Sequence, residues 1–332
     1  KPKARATRFF IQQKGFKMRE ITIITPVYND WEAFTLLTSE IEGVASENVF
    51  NVRLIAVNDG SVHVPEMVIE GENFASVEIM HLSRNLGHQR SIAVGLSALY
   101  KRGNSHTPII VMDCDGEDRP ADIPRLLGEY DQYPDAIIFA QRARRSEGFL
   151  FRLFYKLFKL IFRGLTGGAI SFGNFCLIPP EYLERIVYFQ EIWNHFAAGI
   201  MRSNLKWKTI ATDRGKRYAG KSHMNLVSLV LHGLSAISVY TEIVYIRLIF
   251  LSFFVIVLDI IGFLILLYIK YFTLLAIPGW GTSVAIGLVL VMLQAILFLT
   301  MLSFAILGYR SMKMFIPAID FEDYLRKTER II

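Results

Sequence analysis

Cysteine is scarce in this chain, which holds only Cys114 and Cys176 among its 332 residues. Two cysteines cannot form a disulfide framework or a cysteine-rich metal site, so we predict two reduced thiols in a cytoplasmic environment. Internal repeats and low-complexity tracts are also lacking. The basic residues 1–17 contain no apolar core of the kind that a secretory signal needs. We expect them to be disordered or foreign to the protein, with Met18 as the natural start, and give them no part in the fold.

Acidic residues are outnumbered by basic ones, whereas apolar residues are plentiful. The net charge is +6 and 52% of the residues are hydrophobic, with a mean hydropathy of +0.35. Beside long apolar runs, a basic excess favours an anionic membrane surface or phosphate-bearing ligands over nucleic acid. We therefore predict a lipid bilayer and phosphorylated molecules as partners, and no nucleic acid.

Two apolar runs near the C-terminus are long enough to cross a bilayer, which requires about 20 residues. Residues 248–268 contain one charge, Asp259, and residues 283–307 contain none. Basic residues concentrate outside this pair, in residues 202–221 and 310–330. The positive-inside rule then predicts a multi-pass protein of the inner (plasma) membrane, with its large domain and both termini in the cytoplasm. The alternative is two buried core helices, and Asp259 is either a structural contact or a functional acid.

Composition divides the chain into segments. Residues 149–165 place four basic residues on one helical face, with Phe and Leu covering the rest. Such a helix can lie in the headgroup layer of a membrane, and the alternative is a core helix with a solvated basic stripe. The predicted segments are an α/β domain at 18–224, an interfacial helix at 225–242, a two-helix transmembrane hairpin at 243–309 and a cytoplasmic tail at 310–332.

Apolar, β-branched runs alternate with helical patterns in the first half of the chain. This alternation predicts the α/β class with a mostly parallel sheet. Ligands of such sheets bind beyond the carboxyl ends of the strands, where polar motifs gather in this sequence. The predicted strands are 20–29, 52–59, 76–83, 108–113 and 136–142, and the predicted helices are 31–45 and 89–103.

Four acids lie within six residues at the end of the fourth predicted strand: Asp113, Asp115, Glu117 and Asp118. Alternate side chains of an extended segment point the same way, so we expect the carboxylates of Asp113, Asp115 and Glu117 to converge. Oxygen ligands of this kind favour Mg²⁺ or Mn²⁺, and Mg²⁺ typically combines one or two carboxylates with substrate phosphates. The segment does not fit a calcium-binding loop. The alternative is a solvated acidic turn, and we expect Asp118 to be only solvated.

Five motifs occur in order and at appropriate separations: TPVYND, VNDGS, LSRNLGHQRSIAVGL, MDCDGEDRP and RYAGKS. Together with the two apolar runs, they resemble the family 2 glycosyltransferases of GT-A (Rossmann-like) fold over about residues 20–310. The subgroup that they resemble is the polyprenyl-phosphate glycosyltransferases, similar to dolichol-phosphate mannose synthase and to bacterial undecaprenyl-phosphate glucosyltransferases.

The resemblance implies a set of residues for the nucleotide and the metal. Asp59 would hydrogen-bond the nucleotide base. Asp113, Asp115 and Glu117 match the pattern that would hold the metal and the diphosphate, in which Glu117 stands where the family usually has glutamine. The other implied nucleotide contacts are Pro26, Tyr28, Asn29 and Arg84, with Gly87 beside them.

The resemblance also implies residues on the acceptor side. Arg142 and Arg144 match a basic loop that would meet the acceptor phosphate. Arg217 and Ser222 match a loop that closes over the phosphates. We therefore expect Asp115, Arg142, Arg144 and Arg217 to carry the catalytic roles.

The chain departs from the family pattern at five positions, and these departures leave the base and the sugar-side contacts undefined. Four of them, Asn58, Glu117, Asn174 and Cys176, motivate one alternative, a non-catalytic membrane scaffold with a degenerate domain. A second alternative is a processive family 2 polysaccharide synthase, which is disfavoured because the sequence lacks a Q-x-x-R-W motif and has only two predicted spans. The departures are Asn58, Glu117, Asn174, Cys176 and His195.

The implied activity is that of an inverting glycosyltransferase. It would move a hexose from a UDP- or GDP-sugar to undecaprenyl or dolichyl phosphate on the cytoplasmic face. A phosphate monoester has a second pKa of about 6, so this acceptor is mostly dianionic at cytoplasmic pH and needs no strong general base. The sugar, the nucleotide, the polyprenol and the oligomeric state stay open, and a homo-oligomer is compatible with the pattern.

Overall fold

The computed structural model describes residues 18–103, 106–142, 159–168, 172–219, 226–273, 275 and 279–332. These residues form two compact units, and the first contains an eight-stranded sheet. Its strands are β1 (Arg19–Val27), β2 (Phe50–Asn58), β3 (Phe74–Leu82), β4 (Ile109–Val111), β5 (Ile137–Arg142), β6 (Cys176–Ile178), β7 (Trp207–Thr212) and β8 (Leu325–Arg330). The α-helices are α1 (Trp31–Asn48), α2 (His88–Lys101), α3 (Ile123–Gln132), α4 (Leu183–Val187), α5 (Phe196–Arg202), α6 (Leu226–Ser238), α7 (Thr241–Phe272), α8 (Trp280–Ser311) and α9 (Pro317–Asp320).

The strand order in the described part of the sheet is β7-β5-β6-β4-β1-β2-β3-β8. Strand β1 pairs in parallel with β2 and β4, and the β2–β3 and β5–β7 pairs are parallel as well. Strand β6 is antiparallel to β4 and β5, and β8 is antiparallel to β3. The predicted α/β class with a mostly parallel sheet is therefore confirmed. The carboxyl end of β1 lies between those of β2 and β4, which positions the polar motifs side by side.

Both faces of the sheet are covered, as the apolar strand sequences require. Neighbouring residues of β1 point to opposite faces because side chains alternate along a strand. Ile24 belongs to the cluster that contains Ile92 of α2, whereas Ile23 belongs to the cluster that contains Phe34 of α1. All four side chains are fully buried. Burial of both faces of the sheet explains why the strand sequences are continuous apolar runs.

Three strands were missed by the sequence analysis because their local signals are weak. Strand β6 has only three residues, and β7 (WKTIAT) is largely exposed with one buried residue at its end. Strand β8 (LRKTER) is charged and exposed, so it carries no apolar pattern. The prediction of a tail at 310–332 is therefore corrected, since β8 pairs with β3 and forms one edge of the sheet.

The second unit comprises residues 157–169 and 240–314 and contains α7 and α8. Both helices have 32 residues and are apolar enough to cross a membrane. Large apolar side chains on them are exposed, such as Phe250 and Phe304 at 68% and 70%. Exposed apolar surface of this extent marks a membrane or protein interaction site, and helices of this length favour a membrane. The sides on which the termini lie, and the multi-pass topology, stay predictions.

The predicted amphipathic helix at 149–165 lies partly outside the described residues. Its described part, residues 159–166, is helical. Phe162 is buried and meets the ring of Tyr240 at 5.9 Å, whereas Leu160 is 69% exposed. Arg247 of α7 donates to the carbonyl of Gly164 over 2.7 Å. These contacts all lie within the second unit, and the location of the helix in a headgroup layer stays a prediction.

Both cysteines are free and buried, so we expect them to be chemically inert in the folded protein. Burial raises the pKa of the Cys114 thiol, and the negative charge of Asp30 raises it further. Burial likewise raises the pKa of Cys176 well above its ordinary value. Iodoacetamide should label neither thiol in the native protein and both in guanidinium chloride. Rapid labelling of the native protein would contradict this burial.

Candidate active site

The acidic segment that follows β4 is a turn. Strand β4 ends at Val111, and the extended geometry assumed for residues 113–117 is wrong. Two carboxylates hold the turn together. Asp118 accepts a hydrogen bond from the backbone N–H of Asp113 over 3.0 Å, and Asp115 accepts one from Glu117 over 2.9 Å. Asp118 is 5% exposed, so the expectation that it is only solvated is also wrong.

The three predicted metal ligands each contact a different basic side chain. Asp113 Oδ1 lies 2.6 Å from His88 Nε2. Asp115 Oδ2 lies 3.1 Å from Arg217 Nη1, and Glu117 Oε1 lies 2.6 Å from a nitrogen of Arg214. No group of three acidic, histidine or cysteine side chains is close enough to hold a metal within the described part of the chain. The convergence predicted for three carboxylates is therefore not observed.

Two of these carboxylates nevertheless fit a divalent cation. Burial raises the pKa of Asp115, the negative charge of Asp113 raises it further, and Arg217 opposes the rise. A bound cation offsets the repulsion between neighbouring carboxylates of this kind. Mg²⁺ commonly takes only one or two carboxylates and completes its coordination with water and substrate phosphates. Asp113 and Asp115 thus match this requirement, whereas Glu117 already has a cationic partner.

A loop after β7 covers the acidic turn and contains Arg217. The backbone N–H of Gly215 donates to the carbonyl of Glu117, and that of Tyr218 donates to the carbonyl of Asp115, both over 2.9 Å. Arg217 reaches Asp115 and also Asp30, which lies at 2.6 Å. The guanidinium therefore bridges acids that follow β4 and β1. Ser222, the other predicted residue of this loop, lies outside the described residues.

Gly116 allows this loop to approach the turn. Its φ of +87° is in the left-handed region, and a Cβ there would lie 2.7 Å from the ring of Tyr218. Gly116→Ala should lower the free energy of unfolding by about 1–3 kcal/mol, because strain and a clash add. The matched control is Gly128→Ala in α3, where a Cβ meets no atom within 4 Å and helix propensity improves. Thermal melting of both purified variants measures the difference, and equal melting temperatures would contradict the predicted contact.

The ends of β1 and β2 are joined by reciprocal hydrogen bonds. The backbone N–H of Asn29 donates to Ser61 Oγ over 2.9 Å, and that of Val62 donates to Asn29 Oδ1 over 3.0 Å. Asn29 has a φ of 54°, which asparagine tolerates better than most residues. Asn58 Oδ1 accepts from the N–H of Ser61 over 2.9 Å. These bonds give the predicted nucleotide side a defined loop conformation.

Asp59 supports the neighbouring loop. Its carboxylate accepts hydrogen bonds from the N–H groups of Leu86 at 2.7 Å and Gly87 at 3.0 Å. The side chain is buried, and burial raises its pKa while these two bonds lower it. Asp59 therefore shapes the loop between β3 and α2, a role that the sequence analysis did not assign. Its predicted contact with a nucleotide base stays a prediction.

The remaining predicted residues differ in their surroundings. Tyr28 is 42% exposed at the end of β1, whereas Pro26 is buried within that strand. The Arg84 side chain is exposed and lies 5.9 Å from the ring centroid of Tyr324. Arg142 is the last residue of β5, and Arg144 lies outside the described residues, so their predicted roles stay predictions.

Histidines beside the acidic turn were largely missed by the sequence analysis. His88 opens α2 and contacts Asp113; burial opposes its protonation, but this carboxylate raises its pKa overall. His195 Nδ1 accepts from the N–H of Ala198, and its ring lies 4.6 Å from that of His232. Burial lowers the pKa of His195 to about 3, with a further contribution from His232. His195 is therefore neutral where the family pattern often has arginine.

Comparison with known proteins identifies the class of this domain. Residues 22–186 match the model of glycosyl transferase family 2. The uncharacterized glycosyltransferase YkcC of Bacillus subtilis (strain 168) is 26% identical over 291 residues, which cover 83% of this chain and 87% of that protein. The bactoprenol glucosyl transferase of Shigella phage SfX is 27% identical over 233 residues, which cover 67% of this chain and 73% of that protein.

Solved structures show a weaker likeness. Mannosyl-3-phosphoglycerate synthase from Rubrobacter xylanophilus superposes with a TM-score of 0.45 at 15% identity, covering 72% of this chain and 76% of that one. Glucosyl-3-phosphoglycerate synthase from Mycobacterium tuberculosis, in complex with Mn²⁺ and UDP, gives 0.45 at 12% identity, with 68% and 80% covered. The assignment rests on the family match and the observed sheet. The match over residues 22–186 shows a glycosyl transferase family 2 domain built on a mostly parallel α/β sheet, and it supports a transferase activity.

Proposed function

We propose that this glycosyltransferase moves a sugar from a nucleotide-diphosphate donor to a polyprenyl phosphate at the cytoplasmic face of the inner membrane, with inversion at the anomeric carbon. The observation that carries the proposal is the meeting of Asp115, Asp30 and Arg217 at the carboxyl ends of β4 and β1. This arrangement combines groups that suit a cation and a phosphate at the edge where α/β sheets bind ligands. The name of the phage relative, bactoprenol glucosyl transferase, supports a polyprenyl acceptor.

The donor side of the reaction needs a stabilised diphosphate leaving group. Asp113 and Asp115 would hold Mg²⁺ or Mn²⁺, and the bound ion would supply Lewis-acid neutralisation of the leaving phosphates. Arg217, once released from the carboxylates, would donate charge-assisted hydrogen bonds to phosphate oxygens. Asp59 and Asn29 would position the nucleoside through the loops that they organise. Pro26, Tyr28 and Arg84 would complete this subsite.

The acceptor side makes different demands. A phosphate monoester is already nucleophilic as a dianion, so the chain has to overcome repulsion between two anions. Arg142 and Arg144 would supply positive charge for the acceptor phosphate, and Ser222 would join Arg217 on the closing loop. Helices α7 and α8 would anchor the chain in the bilayer that holds this phosphate.

A matrix of donors and acceptors tests the proposal. The full chain in lipid nanodiscs is incubated with UDP- or GDP-sugars, with undecaprenyl or dolichyl phosphate, and with Mg²⁺ or Mn²⁺. Mass spectrometry should detect one glycosylated lipid phosphate that disappears with EDTA. A glycosylated oligosaccharide formed without lipid phosphate would overturn the acceptor class, and a product formed in EDTA would overturn the metal requirement.

A further inference from the structure

The C-terminal segment 315–332 returns to the sheet of the first unit. Strand β8 pairs antiparallel with β3, and Glu329 lies opposite Ile79 in the register. The backbone N–H of Ile331 also donates to the carbonyl of Val77 over 2.8 Å. The segment is separated from β3 along the chain by both apolar helices, yet it extends the sheet on the side of the predicted nucleotide subsite.

A chain of polar contacts leads from β8 to the end of β2. Glu329 Oε2 lies 3.4 Å from His81 Nε2, and His81 Nδ1 lies 3.0 Å from Asn58 Nδ2. Asn58 Oδ1 accepts from the N–H of Ser61, so the amide nitrogen of Asn58 faces His81 and must donate. His81 Nδ1 must then accept, which leaves the ring proton on Nε2, towards Glu329.

The ring of His81 is suited to this neutral form. Its side chain is only 10% exposed, and burial lowers its pKa, with further lowering from Lys327 and Arg326 and an opposing contribution from Glu329. Asn58 is 3% exposed. A buried amide has few alternative partners, so His81 Nδ1 and the Ser61 N–H together hold the Asn58 amide. Asn58 in turn fixes Ser61, whose hydroxyl accepts from Asn29.

A second contact from the same segment reaches the loop after β3. The carbonyl of Tyr324 accepts from the N–H of Ser83 over 2.9 Å. The ring of the same tyrosine lies 5.9 Å from the Arg84 guanidinium, a cation–π distance. The C-terminal segment thus contacts the loop after β3 directly and reaches the end of β2 only through His81.

We propose that the C-terminal segment is a built-in part of the nucleotide subsite, in which Glu329 acts as a positioning residue through His81 and Asn58. This inference rests on the proposed donor site at the ends of β1 and β2. Glu329 faces Nε2 of the ring across 3.4 Å, a charged contact outside hydrogen-bond geometry. The ring holds the Asn58 amide, and the amide holds the loop that would contact the nucleoside. This positioning role differs from stabilisation of the sheet, because it requires a hydrogen-bond acceptor at one place, His81 Nδ1.

The affinity of the protein for nucleotides tests whether Glu329 and His81 position the nucleotide subsite. Isothermal titration of UDP and GDP with Mg²⁺ into the full chain in nanodiscs is compared among variants. His81→Leu removes the acceptor and should weaken binding about tenfold, whereas His81→Asn, whose amide oxygen can occupy the position of Nδ1, should stay within about twofold of the wild type. Glu329→Gln should weaken binding about threefold, since this carboxylate is half exposed. The matched control is Glu322→Gln, which removes a surface carboxylate paired with Lys101.

A double-mutant cycle separates positioning from general stability. In the His81→Asn background, Glu329→Gln should have no effect on the dissociation constant, because the Nε2 proton that it orients is gone. An equal effect in both backgrounds, or equal affinities for Glu329→Gln and Glu322→Gln, would overturn the inference. Absence of UDP and GDP binding by the wild type would instead refute the proposed donor. Melting temperatures without nucleotide identify a variant that loses affinity only because it is unfolded.

Discussion

Asp115→Asn should reduce metal-dependent sugar transfer by about 10²- to 10³-fold while leaving the domain folded. The substitution removes a negative charge from a predicted metal ligand that also contacts Arg217. It retains an oxygen that can accept the backbone hydrogen bond from Glu117, so the turn should persist. Asn cannot replace a carboxylate as a ligand for a hard cation without loss of affinity.

Initial rates of glycolipid formation, measured by mass spectrometry at several Mg²⁺ concentrations, test this expectation. The matched control is Asp131→Asn, which alters a surface carboxylate that is 59% exposed and pairs with Arg19. The control should keep the wild-type rate. Wild-type activity of Asp115→Asn, or full activity of the unmodified enzyme in EDTA, would contradict a role for Asp115 in metal-assisted transfer.

The fold was predictable where the sequence pattern is strong and local. Strands β1 to β5 and helices α1 and α2 were predicted within a few residues, because buried parallel strands produce unbroken apolar runs. Strand β8 was not predicted, because an exposed edge strand has no apolar periodicity. Its pairing with β3 also joins segments that are far apart in the sequence. Antiparallel β6 was too short for any pattern to indicate it.

The sequence predicted several residues of the candidate site but few of the contacts between them. The family resemblance predicted Asp115 and Arg217, but it assigned no role to Asp30, the last residue of the TPVYND motif, which contacts Arg217 from 187 positions away. The role of Asp118 in the turn was also missed. The acids were assumed to lie in an extended segment, and the positive φ of Gly116 shows why the chain turns there. Such partners are set by tertiary packing, which spacing along the chain does not encode.

Arg217→Ala should lower the turnover number by about 10²-fold and change donor affinity much less. Arg217 reaches two carboxylates at once, and the fork of a guanidinium suits such bridging and later binding of phosphate oxygens. Lysine, a single point charge, cannot reproduce both contacts, so Arg217→Lys should recover only part of the rate. The control Arg19→Ala alters a surface ion pair with Asp131 and should leave turnover unchanged. Wild-type kinetics of Arg217→Ala would remove this loop from the reaction.

A second measurement on the same variant does not depend on activity. Without metal, Arg217 contacts both Asp115 and Asp30, so its removal takes a positive charge away from these two carboxylates. In EDTA, the Arg217→Ala variant should therefore melt at a lower temperature than the wild type. Added Mg²⁺ should raise the melting temperature of the variant more than that of the wild type, because the metal then supplies the missing positive charge. An equal Mg²⁺-induced shift in both proteins would contradict this exchange of cations. A larger rise in the melting temperature of the variant would mean that Arg217 and the bound metal compete for the same carboxylates. Binding of the metal and the donor would then release Arg217 for the phosphates.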